Sequence, residues 1–475
     1  MSQIAAIARH ALRTTLRSRV VLVLLALLLA AAFLLPAAIR HDGTPDGLIR
    51  VQLTYTLGIA GFLLSLATLW AGCAAISQEA DDKTLQLLLV KPVPRLSIWL
   101  GKWLALLVMN AALLTLVGAA TLATLHTKLR QGDFASAALS RARRTTLAAL
   151  ETRRAPLPEI DAEVRADYAA LHARGALPPG VPESAILDSL RRTRLAQHYS
   201  IPPGASHTWT FPSLPAPPPY LLVQFRSDAS VMGAGQIDAT LTLASRDWER
   251  TQPLDAIPGT LETVLFDDIP AEVAGPLDIT FHNPGGHNAT LFFDPADGLV
   301  LRVVRAPFIA NYLHALATLF LRLALFAAIG TTLGTLFSMP VAGFLSLVLI
   351  LVLQLSGFIR AAAQVDRQAF VATIAPFGQT GHSHDGDGDA EADAEPSAAA
   401  RAAATVFYYA YRGTWFALRP LIDYRAIDDL SAAEYIPPRA VGRDLLLQGL
   451  LFPAVLALLS TAVLRKREWA LPMIS

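Results

Sequence analysis

The chain has 475 residues, 53% of them hydrophobic and 16% charged, with a mean hydropathy of +0.43. Soluble domains carry about a quarter charged residues, so this composition excludes an ordinary soluble enzyme and a disordered chain. It points instead to a polytopic membrane protein with polar mass outside the bilayer. Lys plus Arg number 39 against 38 Asp plus Glu, a balance that offers nucleic acid no basic field. The single cysteine, Cys73, excludes an intrachain disulfide framework and a cysteine-based zinc site.

A spanning helix needs about 20 apolar residues, because each adds about 1.5 Å across a hydrocarbon layer of about 30 Å. Residues 20–39, 51–78 and 103–127 are free of charge. So are residues 323–359, too long for one span, with a turn signal at Ser338-Met339-Pro340. That run splits into a span ending near Phe337 and another over 341–359. Residues 445–464 form the last apolar stretch. The sequence therefore predicts six spans.

Lys and Arg in short flanks set the orientation. They cluster before the first span (Arg9, Arg13, Arg17, Arg19), between the second and third (Lys83, Lys91, Arg95, Lys102), and after the last (Arg465-Lys466-Arg467). Six spans put all three on one side, the cytoplasmic side, with both termini, in a cell inner (cytoplasmic) membrane. The first apolar run is longer than a signal peptide's and follows a full amphipathic segment, so it is read as a retained span. On a helical wheel Arg9, Arg13 and Arg17 face away from Ile4, Ile7, Ala8 and Ala11. That segment, residues 1–19, is predicted as a helix lying on the membrane surface. Two readings are open for it: a simple anchor, or an elbow that contacts a cytoplasmic partner.

The second and third spans enclose the most informative segment. Ser77 is read as a helix cap, with Glu79, Asp81 and Asp82 crowding the first turn. Pro92 ends that helix, predicted over 78–90, with Leu85, Leu88 and Leu89 on one face. Gly101-Lys102 then opens the third span. A short amphipathic helix between two rigid spans can carry a partner's motion into the membrane.

Residues 128–306 fall outside. Up to about residue 197 they are rich in Ala, Leu, Arg and Glu, interrupted at Pro156-Leu157-Pro158 and Pro178-Pro179-Gly180, which predicts two or three helices. A proline-rich linker follows, ending at Pro217-Pro218-Pro219. From Tyr220 the period is two. Short apolar-alternating runs at 222–225, 239–243, 261–265, 277–281, 290–293 and 299–304 lie between Gly, Pro, Asn and Asp, and predict a small β-sandwich. It is either a module that binds or gates cargo or a spacer; both stay open. The later outer segment, 361–444, contains Gly381-His382-Ser383-His384 and an acidic run through Glu395. Its repetitive composition cannot fix metal ligands, so it is read as a solvated loop with no metal. Phe407-Tyr408-Tyr409, Tyr411, Trp415-Phe416 and Tyr424 after it read as a headgroup-level aromatic segment. Arg322 is an intramembrane charge, a functional candidate by default. It precedes Phe337 by about 22 Å of helix, a depth at which Arg snorkels to the interface; a pore role is the other reading.

The loop resembles that of permease subunits of type-2 ABC exporters, in particular the multicopper-enzyme maturation and gliding-type permeases. The matching residues are Glu79 at the membrane exit, Thr84-Leu85 with Leu88 three residues on, Pro92-Val93, Arg95 and Gly101-Lys102. The Leu336-Phe337-Ser338-Met339-Pro340-Val341-Ala342 turn is also similar to that family's. Lys83 stands where Gly is frequent and Pro94 where Ser is. The resemblance implies a transport subunit and no enzyme. Glu79, Thr84, Leu85, Leu88, Pro92, Arg95 and Lys102 would couple it to an ABC ATPase, and a second permease subunit, identical or not, would complete the pair. ATP and Mg would bind the ATPase chain, because this sequence has no Gly-x-x-x-x-Gly-Lys-Ser/Thr phosphate loop. Arg9, Arg13, Arg17 and Arg322 are read as membrane anchors.

The expected architecture is a mainly α membrane protein: a six-helix transmembrane bundle with an inserted extracytoplasmic domain, a helical neck plus β-sandwich. The boundaries are 1–19 elbow, 20–127 spans one to three with coupling loop 78–102, 128–219 neck and linker, 220–306 sandwich, 307–360 spans four and five, 361–444 outer loop, and 445–475 span six and tail. The expected function is an exporter permease bound to lipid membrane, with no nucleic-acid partner. The alternative is a membrane-anchored binding or scaffold protein acting through its sandwich. An intramembrane enzyme is disfavoured, because the spans hold no acid and no Ser-Lys or His-Glu-x-x-His set.

Overall fold

Helices form wherever long apolar runs meet no break signal, and strands wherever alternation is bounded by turn residues. The computed structural model describes residues 2–34, 42–82, 93–177, 181, 183–214, 218–231, 235–246, 248–267, 269–270, 275–285, 288–354, 402–410, 412–413 and 424–466. In chain order the helices are α1 (Ser2–Arg17), α2 (Arg19–Phe33), α3 (Pro45–Asp81), α4 (Arg95–Gln131), α5 (Ser136–Thr145), α6 (Asp161–Ala173), α7 (Glu183–His198), α8 (Phe308–Leu336), α9 (Met339–Gln354), α10 (Ala426–Ser431) and α11 (Pro438–Lys466). The strands are β1 (Ala148–Arg154), β2 (Ser200–Ile201), β3 (Ser206–Phe211), β4 (Tyr220–Ala229), β5 (Ile237–Ser245), β6 (Trp248–Ala256), β7 (Leu261–Asp267), β8 (Leu277–His282), β9 (Leu291–Phe293) and β10 (Leu299–Pro307). They form two compact units. One comprises residues 1–140, 312–432 and 436–475; the other comprises 141–311 and 433–435.

In the helical unit, α3, α4, α8 and α11 are each long and apolar enough to cross a membrane. The bent pair α1 and α2, 73° apart, makes up to five, whereas six spans were expected. The remaining candidate, α9, is a shorter apolar helix in the described residues, and 355–359 of that expected span lie outside them. The helices overrun the charge-free runs because helix geometry tolerates charge where composition counting does not. Thus α8 begins at Phe308, and Arg322 stands at its midpoint instead of near its start.

Without a hydrophobic drive inside lipid, helices associate through small residues and internal polar bonds. Here α3 and α8 touch backbone to backbone. A Cβ on Gly330 would lie 2.7 Å from the Leu69 carbonyl oxygen, and one on Gly334 2.3 Å from that of Cys73. Polar bonds join the rest: Thr68 Oγ1 donates to Asn110 Oδ1 at 2.9 Å, Tyr312 Oη to the Gly118 carbonyl at 2.9 Å, and Ser460 Oγ to Thr332 Oγ1 at 3.1 Å.

The β-rich unit holds two antiparallel sheets. One runs β1-β10-β4-β9-β2, with β7 also paired to β4; the other runs β3-β8-β5-β6. Alternation sets their inner faces: Ile237, Ala239, Leu241 and Leu243 of β5 are buried, as are Leu277, Ile279 and Phe281 of β8. They meet Leu221, Val223 and Phe225 of the other sheet in one core, where the Phe225 and Phe281 rings lie 5.4 Å apart. On the outer face of β8, Asp278, Thr280 and His282 bond Thr210, Thr208 and Ser206 of β3 at 2.7–2.9 Å. Such cross-strand pairs hold register.

The sheets start earlier than the boundary at 220 expected from the sequence. Strands β1, β2 and β3 come from the segment read as helical neck and linker. Ala148–Arg154 has helix-compatible composition, but pairing with β10 buries Ala148, Ala149 and Leu150, and burial overrides weak propensity. Conversely, β6 carries Pro253 and went unread as a strand. It is the edge of its sheet, where a missing N–H is tolerated.

A distant segment completes this unit. Leu150 N donates to the Ala433 carbonyl at 2.8 Å, and Tyr435 N to the Leu150 carbonyl at 2.9 Å. Glu434 accepts from Thr152 Oγ1 at 2.6 Å and from Arg302 Nη2 at 3.2 Å, while its carbonyl accepts from Asn311 Nδ2 at 2.7 Å. Arg302 is buried, so Glu434 both joins sequence-distant segments and neutralises a desolvated charge. Glu434→Ala is expected to cost about 1–3 kcal/mol. Amide exchange in the full-length protein should quicken across β1 and β10 and stay unchanged in α3 and α8.

An aromatic group at the start of β3 gives this unit a pH dependence. The His207 ring lies edge-on to Trp209 at 4.4 Å and to His198 at 5.0 Å. Burial, with a smaller contribution from His198, pushes the His207 pKa down to about 4. The unfolded chain therefore binds this proton more readily, and folding stability rises with pH. The contribution is fully present above the ordinary histidine value of about 6.5 and is lost as pH falls from there to about 4. Melting of the β-rich unit should shift to lower temperature across that window. His207→Phe should flatten the shift.

Candidate functional site

The residues singled out around the loop between α3 and α4 divide between described and undescribed chain. Thr84, Leu85, Leu88 and Pro92 lie outside the described residues, as do the His/Asp tract 381–395 and Trp415-Phe416. Glu79, Arg95 and Lys102 are described, and all three take part in helix-to-helix contacts.

Ser77 was read as the cap of a separate loop helix. Instead α3 runs without a break to Asp81, and the buried Ser77 Oγ donates to the Cys73 carbonyl at 2.7 Å, one turn back. No Gly or Pro stands between Cys73 and Asp81 to end the helix, and a mid-helix serine satisfies itself this way. Glu79 therefore belongs to the last turn of the membrane helix. Helix α4 likewise starts at Arg95, about two turns before Gly101-Lys102.

Lys102 is 1% exposed. A buried ammonium is costly unless its charge and its donors are matched. Its Nζ lies 2.5 Å from Glu79 Oε2 and also donates to the Ala75 carbonyl. The pair therefore ties the last turn of α3 to the third turn of α4, the two roots of the loop. Arg95 donates to the carbonyl of Leu464 in the last turn of α11, where helix carbonyls lack partners and positive charge is favoured. Between these two cations sits Trp99, fully buried with Ile76, Ala328 and Ala457. It stacks on Trp103 at 5.8 Å, and Trp103 Nε1 donates to the Ala324 carbonyl at 2.9 Å.

Arg95, Trp99, Lys102 and Trp103 thus form one face of α4 that binds α3, α8 and α11. Trp99 was not singled out from the sequence. The i, i+4, i+7, i+8 spacing was the available signal.

Gly101 has its own reason. A Cβ there would lie 2.7 Å from Ile7 Cγ2 and 2.9 Å from Ile7 Cβ. The elbow helix α1 therefore lies directly on α4, with Arg9, Arg13 and Arg17 exposed and Ala11 buried. The Gly-Lys pair performs two packing tasks on adjacent faces: glycine admits α1, and lysine fastens α3.

Arg322 is elsewhere in the helical unit. Its guanidinium carbon lies 4.4 Å from the Tyr424 ring centroid and 5.3 Å from that of Phe326.

Residues 5–141 match the family model described as ABC-2 family transporter protein. The match spans α1 through α4, including both roots of the loop, and supports a membrane permease of an ABC transporter. No curated protein and no solved structure matches the chain.

Breaking the ion pair should be worse than removing it. Lys102→Met leaves the Glu79 carboxylate without its counter-charge and is expected to destabilise the helical unit by about 3–5 kcal/mol. The double variant Glu79→Gln/Lys102→Met should recover a substantial part. Melting temperatures of the four proteins of this double-mutant cycle check it.

Proposed function

We propose that this chain is the membrane-spanning permease subunit of an ABC exporter, moving substrate across or out of the membrane with energy from a separate ATPase chain. ATP and Mg bind that partner, a second permease subunit completes the pair, and residues 78–102, the end of α3 and the start of α4 with the loop between them, form the docking and coupling segment. The observation that carries the reading is the fastening of both roots of that loop. Glu79, Lys102 and Arg95 join α3, α4 and α11. A push on the intervening residues is then delivered to three helices together, where an unfastened loop would absorb it. The match of residues 5–141 to the ABC-2 transporter family supports the same reading.

In this proposal both termini and the loop face the cytoplasm of an inner membrane, and the β-rich unit lies outside. Clustering of Lys and Arg supports the orientation. The union of residues 433–435 with 141–311 in one unit supports putting both segments on one common face, as the six spans expected from the sequence would. Arg9, Arg13 and Arg17 on the exposed side of α1 would meet anionic headgroups.

The docking claim has a direct test. Replacing Leu85 and Leu88 with Asp is expected to abolish co-purification of an ABC ATPase while leaving the melting temperature of the helical unit unchanged. Undiminished ATPase recovery from that variant removes the loop from the interface.

A further inference from the structure

Arg322 presents a problem that the transport reading leaves unsolved. A guanidinium carries five N–H donors, and in the membrane-spanning part of a protein an unmatched donor is expensive. Among the described residues Arg322 has ring contacts with Tyr424 and Phe326 but forms no hydrogen bond or ion pair. Its Nε is sealed from solvent without an acceptor, and so is Tyr424 Oη. Aromatic faces hold a guanidinium flat and leave its N–H edge free for bidentate bonding to an oxyanion, a phosphate among them.

Arg322 lines a half-open cavity of about 270 Å³ between α3, α8, α9 and α10. Asp428 lines the same cavity, and the two groups form no ion pair with each other. Opposite charges in one cavity, neither quenching the other, suit a ligand that carries both. Leu319, Ile350 and Leu353 supply apolar wall, and Phe62 at the rim is 40% exposed. Thr54, within the wide π-helical turn Leu53–Leu57 of α3, and Gly58, directly after it, also line the cavity; such turns are frequent at functional sites. A Cβ on Gly58 would meet nothing within 4 Å.

We propose that this cavity binds the phosphodiester headgroup of an amphiphile. Arg322 takes the phosphate, Asp428 takes the primary ammonium of a zwitterionic head, and the acyl chains leave over Phe62. The volume admits a headgroup and excludes the chains. A free phosphate dianion is disfavoured, because Asp428 repels its second charge. The site is independent of ATPase docking and stands whether or not the loop couples to a partner.

The test uses the delipidated full-length protein in detergent. It is incubated separately with phosphatidylethanolamine, phosphatidylglycerol and phosphatidylcholine, and retained lipid is counted by native mass spectrometry. Wild type is expected to retain phosphatidylethanolamine best. Arg322→Gln should lower retention at least about tenfold, the minimum loss for a charge-assisted hydrogen bond. Gly58→Leu fills the cavity without touching either charged group and should lower it similarly, so it decides the matter where Arg322→Gln elutes as misfolded protein. Asp428→Asn should transfer the preference to phosphatidylglycerol; an unchanged preference removes Asp428 from the site. Displacement of lipid by glycerophosphoethanolamine assigns the same cavity to a water-soluble ester. Equal retention by wild type, Arg322→Gln and Gly58→Leu, each monodisperse, overturns the proposal.

Discussion

The buried charge of Lys102 constrains the helical unit more than any other single group. An ammonium at 1% exposure must find both a counter-charge and acceptors, and only one arrangement of α3 against α4 supplies Glu79 and the Ala75 carbonyl together. Once that arrangement is fixed, Trp99 is enclosed and Arg95 reaches the end of α11. Buried ion pairs are poor sources of net stability but strict determinants of geometry.

Beyond that pair the helices are held by contact distance. Gly330 and Gly334 let α8 meet α3 at backbone range, and Gly101 does the same for the elbow helix on α4. In lipid there is no gain from burying one more leucine, so close approach and a few polar bonds decide which helices associate. The β-rich unit follows the opposite logic. Its two sheets enclose a core of aromatic and branched side chains, which is the solution available to a segment surrounded by water. Glu434 then draws a remote stretch of chain onto the sheet edge by matching the buried Arg302.

Two cations of the helical unit, Lys102 and Arg322, illustrate different fates. Lys102 is matched by Glu79 and the Ala75 carbonyl. Among the described residues Arg322 meets the rings of Tyr424 and Phe326.

Much of this was legible in residue order. Charge-free runs located the long helices, alternation located β4, β5, β7, β8, β9 and β10, and Glu79, Arg95 and Gly101-Lys102 stood out through the resemblance of their motif to a permease loop. Those features are local, and a period or a charge gap is carried by consecutive residues. What the tertiary structure alone decided is non-local. Ala148–Arg154 is a strand because β10 offers it an edge, Ser77 is no cap because α3 has no reason to stop, and Arg322 lies at mid-helix because α8 begins at Phe308. Trp99, Leu464 and Glu434 matter through partners tens to hundreds of residues away. Sequence periodicity records which face a side chain takes; only packing determines what that face meets, because the free energy of a buried charge or a paired strand resides in the partner.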